Sequence, residues 1–143
     1  MEVYLDSFIK AIEKRVDKNE IIGNLILRNP NTELLNEYSI PKSICLFYDV
    51  VNSIEISFPR KIVIMPPQRM ILVDKRYLCF SIINETKKIC FDTFQLNNDN
   101  EWNIVCLENN FLITKSFKSY ITNKFWAWID RGRHIWEEEN YNL

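Results

Sequence analysis

The stretch YLCFSIINETKKICFDT, Tyr77 to Thr93, decides the fold. Two apolar runs flank the polar residues Asn84 to Lys87, which read as the loop of a β-hairpin. With Ile83 facing Lys88, the residues Leu78, Phe80 and Ile82 fall opposite Thr93, Phe91 and Ile89. One face is then nearly all core, and the other holds Tyr77, Cys79, Ser81, Cys90 and Asp92. In this register Cys79 and Cys90 are diagonal neighbours. A slip of one residue would scramble both faces, so the register is a sharp expectation.

Strand signals extend to either side. Upstream, SIEISF alternates Ile54, Ile56 and Phe58 against Glu55 and Ser57, as a half-buried strand does. KIVIM and RMILV are apolar enough for interior strands, separated by the break at Pro66-Pro67. Downstream, LNNDNEW is a polar turn and WNIVCLE the next strand. Helices lie outside these strands. Leu5, Phe8, Ile9, Ile12 and Val16 recur at helical spacing, predicting a helix from about Val3 to Lys18. Asn29-Pro30-Asn31 breaks the chain before a short helix at TELLNEY. Pro41 suits the first position of another helix, with Ile44, Phe47, Val50 and Val51 on its apolar face and Asn52-Ser53 at its end. A final helix is expected from about Thr114 to Asp130, capped by Thr114 or Ser116 and stopped by Gly132. The order implies one α+β domain over residues 1–143, with a mainly antiparallel sheet of about five to six strands. N-terminal helices and one long C-terminal helix flank that sheet.

Composition narrows the function. The net charge is −1, and no basic stripe is present to hold a nucleic-acid backbone directly. No uncharged apolar run is long enough to span a membrane, and the N-terminus lacks the pattern of a signal peptide, so a cytoplasmic location is expected. The four cysteines, Cys45, Cys79, Cys90 and Cys106, stand singly in apolar segments and read as reduced, buried thiols. One histidine cannot complete the usual zinc spacings, and the two glycines, Gly23 and Gly132, cannot build a phosphate loop. Neither a metal nor another cofactor is expected.

Candidate sites are few. His134 stands just past the end of a helix, where a cation suits the helix dipole, and no nucleophile signature accompanies it. The acids Asp49, Asp92, Asp99, Glu101 and Asp130 lie one per element. On the last helix Phe117, Ile121, Phe125 and Trp128 form the core stripe, while Trp126 points away from it. Either Arg133-His134-Ile135-Trp136 folds back over Trp126, or that indole is exposed beside Asp130, Arg131 and Arg133 as a partner-binding grip.

IPKSICLFYDVVN, ICFDT, NEWNIV, FLITKSFKSYI and the closing tryptophan helix resemble the SUKH superfamily over Ile40 to Trp136. The resemblance implies an α+β domain that is not an enzyme. It implies an immunity protein that binds and neutralises a cognate bacterial toxin domain, often a basic nuclease. Asp92, Asp99, Glu101, Trp126, Asp130, Arg131, Arg133 and Trp136 are the partner-binding candidates under that reading. A scaffold or regulatory protein of the same superfamily is the alternative, and a small hydrolase comes third. Neither the oligomeric state nor the binding face follows from the sequence.

Overall fold

A computed structural model describes residues 2–28 and 40–137. It is an α+β domain whose sheet is antiparallel throughout. Helix α1 (Val3–Asp17) leads into strand β1 (Ile22–Leu27), and α2 (Lys42–Tyr48) into β2 (Val51–Phe58). The chain then meanders through β3 (Ile62–Ile64), β4 (Ile71–Val73), β5 (Tyr77–Ile83), β6 (Lys87–Asp92), β7 (Ile104–Cys106) and β8 (Leu112–Thr114). Strand order is β1-β2-β3-β5-β6-β7-β8, and β4 pairs with β5 beyond the end of β3. The sheet thus has more strands than the five to six expected, and the break at Asn29-Pro30-Asn31 and the helix at TELLNEY lie outside the described residues.

The helices pack on one face of the sheet. Leu5, Phe8, Ile9 and Ile12 of α1 enter the core as their spacing predicts. Pro41 stands immediately before α2, which ends at Tyr48. Val51 therefore begins β2 rather than extending the helix, and Asn52-Ser53 lie within the strand. A β-branched residue feeding an alternating run favours the pleated conformation. At the far end of β2, Phe58 is exposed, unlike Ile54 and Ile56.

The central hairpin departs from the expected register. Ile83 pairs with Lys87, Ile82 with Lys88, Ser81 with Ile89, Cys79 with Cys90 and Leu78 with Phe91. Two consecutive left-handed residues, Asn84 (φ 54°) and Glu85 (φ 66°), tighten the loop to Asn84–Thr86. Phe80 is the extra residue of a bulge, beyond which Phe91 lies opposite Leu78 instead of Phe80, so the expected faces return but the expected pairs do not. Phe80 and Ser81 consequently both face the helices, Ile83 joins the core, and Ile82 turns to the opposite face.

Ser81 is the buried polar residue among those described, and its hydrogen bonds are complete. Its hydroxyl lies 2.7 Å from the Val63 carbonyl and 3.1 Å from the Tyr120 hydroxyl. The serine has one proton and gives it to the carbonyl, so Tyr120 donates to Ser81.

The final helix is a composite. Ser116 caps it, its Oγ accepting from the Ser119 amide at 3.1 Å, whereas Thr114 belongs to β8. Helix α3 (Phe117–Ser119) passes through a wider π-helical turn (Tyr120–Lys124) into α4 (Phe125–Arg131). The wide turn brings both Tyr120 and Ile121 into the core. Gly132 ends the helix at φ 64°, and Arg60 caps it by donating to the Ile129 carbonyl at 2.6 Å.

The main core is strongly aromatic. Phe80 and Phe91 stack with centroids 3.9 Å apart, and Phe117 joins that pair to Phe47. The other face of the sheet carries a smaller cluster of Met65, Cys79, Cys90 and Val105.

Candidate protein-interaction surface

The expected partner-binding residues occupy separate places. Trp126 is half-buried and packed against the core. Helix α1 covers it: Phe8 meets the indole at 5.9 Å and the Arg15 guanidinium lies 4.5 Å above it. The same guanidinium grips Asp130, with one Nη2–Oδ2 contact at 3.0 Å. Trp126 and Asp130 are thus joined through a residue over a hundred positions upstream, which local reading did not find.

Trp136 folds onto Trp128, edge-on at 5.2 Å, and stacks on His134 at 4.7 Å. It is only 6% exposed, so the side chain offers little surface to a partner. His134 itself is exposed, with Nδ1 2.8 Å from Glu137 Oε1. Arg131 is exposed and Arg133 half-buried. Gly132 and Arg133 close the helix by donating to the Trp128 and Ala127 carbonyls.

Glu101 works as an internal bracket. Its carboxylate accepts from Ser43 Oγ at 2.6 Å and from the Phe117 amide at 3.3 Å, tying α2 to the start of the last helix. Asp99 is exposed in the neighbouring turn, where Asn97 Oδ1 accepts from the amides of Asp99 and Glu101.

Asp92 sits in the most binding-like setting of the set. It takes both ends of the Arg76 guanidinium, at 2.9 and 2.8 Å, and accepts from the Phe94 amide at 3.2 Å. Arg76 beside it holds the Asp92 carboxyl below the usual carboxylate range. The guanidinium also lies about 5 Å from the rings of Tyr77 and Phe94. Phe94 is 73% exposed, and Ile71 and Leu72 on nearby β4 are 62% and 54% exposed. The β4–β5 turn meets the chain leaving β6 through Thr93, whose amide donates to the Arg76 carbonyl at 3.0 Å. An aromatic ring, a fixed arginine and exposed aliphatics therefore share one end of the sheet.

Sequence reading reached Asp92 but missed Arg76, Phe94, Ile71 and Leu72 as surface residues. RMILV reads as an interior strand because it is apolar, yet β4 pairs with one end of β5 alone and leaves two side chains in solvent. The available signal was Phe94, a lone aromatic in the polar run that follows FDT.

One shallow cleft, of about 250 Å³, is lined by Asn24, Glu55, Met65 and Arg69 among others, and Glu55 is its single carboxylate. Another, beside β8, contains the single carboxylate of Asp99. Among the described residues no three metal-ligating side chains gather, and no helix is long and apolar enough to cross a membrane. A comparison with known families, curated proteins and solved structures finds no match.

Proposed function

We propose that this chain is a cytoplasmic, non-enzymatic immunity protein of the SUKH kind that binds and neutralises a cognate bacterial toxin domain. The observation that carries the reading is Phe94, an exposed ring held against Arg76, whose guanidinium Asp92 fixes with two hydrogen bonds. Aromatic and arginine anchors dominate protein–protein binding energy, and prior fixing of the arginine lowers the entropy lost on association. Exposed acids such as Asp99 complement a basic nuclease and speed encounter without setting the final affinity.

The test is binding between this chain and the product of a toxin-like reading frame immediately upstream of its gene. The expected dissociation constant is submicromolar, below about 1 μM. Phe94→Ala should weaken it at least ~10-fold, as loss of an interface anchor does, with the thermal midpoint kept within about 2 °C. Undiminished binding by that variant would remove the surface assignment. Failure of the upstream product to bind would reject immunity, and capture of several unrelated cellular proteins instead would favour the scaffold reading.

A further inference from the structure

Cys79 and Cys90 face each other directly across β5 and β6 on the sheet face away from the helices. Their backbone setting follows from the neighbouring hydrogen bonds. Thr93 donates to Arg76, so Arg76–Thr93 is a hydrogen-bonded pair and every second pair from it is too. Asp92 donates to Asn103 and Leu107 donates to Lys88, so the even-numbered residues of β6 bond toward β7. Cys79–Cys90 is therefore a non-hydrogen-bonded pair of the hairpin. Such pairs bring Cα atoms to about 4.5 Å, inside the range of about 4.4–6.8 Å that a disulfide spans.

We propose that Cys79 and Cys90 form a peroxide-reactive dithiol that closes to a cross-strand disulfide, with Cys79 attacking first and Cys90 resolving. Cys90 is wholly buried and Cys79 is 3% exposed, so Cys79 is the more accessible of the two to a small oxidant. The neighbouring Cys90 sulfur lowers the Cys79 thiol against the burial that raises it, and the same contact pushes the Cys90 thiol up. Of the nearby charges, Lys88 favours the Cys79 thiolate and Glu108 opposes it.

The chemistry balances with hydrogen peroxide as oxidant. The Cys79 thiolate attacks one peroxide oxygen, the O–O bond breaks, and the leaving hydroxide takes a proton to become water. Cys79 then carries a sulfenic acid. Cys90 sulfur attacks that sulfur, the S–O bond breaks, and hydroxide departs as water with the proton from Cys90. Two thiols and one peroxide become one disulfide and two waters.

The full chain treated with hydrogen peroxide, alkylated after denaturation and mapped by mass spectrometry should yield a Cys79–Cys90 cross-link, with Cys45 and Cys106 alkylated. Its thermal midpoint should rise by about 5–10 °C, as closing a short loop predicts, and fall back with dithiothreitol. Cys90→Ser should stop at a sulfenic acid on Cys79 that dimedone captures, and Cys79→Ser should leave Cys90 a thiol. A time course on the unaltered chain, with sulfenic acid at Cys79 preceding the cross-link, keeps the test independent of how the variants fold. Both thiols remaining alkylatable after peroxide, or cross-links to Cys45, Cys106 or another chain, would overturn the proposal.

Discussion

Arg15 carries two contacts at once, one with the face of Trp126 and one with the carboxylate of Asp130. The indole is therefore part of the seam between α1 and the last helix, with Phe8 and Phe125 against its edges. Truncating it removes aromatic packing and leaves Arg15 with Asp130 alone. Trp126→Ala should cost about 2–3 kcal/mol, less than a wholly buried aromatic because the ring is half in solvent. Urea unfolding measures that loss. Unchanged stability with weakened partner binding would return the residue to the role of a grip. The helical wheel places Trp126 off the core stripe correctly. It could not show that a different helix waits there, because that contact joins residues distant in sequence.

Strand β1 shows what element-scale reading lacks. IIGNLIL has no alternation and contains a glycine, so no strand period stands out. In the fold, Gly23 packs against β2 so closely that a Cβ would lie 2.3 Å from the Glu55 carbonyl oxygen and 2.8 Å from Ile56 Cα. Both obstacles are backbone and cannot rotate away. Gly23→Ala should therefore destabilise by about 2–3 kcal/mol, the cost of overpacking without relief. Hydrogen exchange should show the loss first in the β1–β2 pairing, and protection unchanged there would contradict the geometry. The β5–β6 hairpin was more legible, since its polar loop and flanking apolar runs mark it. Its bulge was not, because the extra residue Phe80 packs on Phe117 and Tyr120, and Ser81 beside it bonds Val63 and Tyr120, all from elsewhere in the chain.

Across the whole molecule, alkaline pH probes the packing between helices and sheet. Burial pushes the Tyr48 and Tyr120 phenols above their ordinary value of 10.0. A folded value raised above the unfolded one gives stability that is full below pH 10 and lost as pH climbs toward the folded value. The urea midpoint should fall above about pH 10, where the unfolded phenols ionise first. Tyr120→Phe should lower the midpoint at neutral pH by losing the bond to Ser81, and should flatten the alkaline decline. A decline as steep as in the unaltered chain would show that Tyr120 does not contribute to it.

Local pattern was sufficient for the α+β class, the antiparallel meander and the span of α1, because each depends on periodicity and turn chemistry within a few residues. It was sufficient also for Gly132 as the stop of the last helix, where a left-handed residue favours glycine. The tertiary structure alone decided which side chains reach solvent. Trp126 is half-covered by α1, Trp136 folds onto Trp128, and Phe94 stays in the open against Arg76. Apolar character records a preference for burial, but the supply of neighbours that satisfies it comes from residues far along the chain. For the same reason the facing thiols of Cys79 and Cys90 emerge only from the bulged register, which no single strand of the sequence contains.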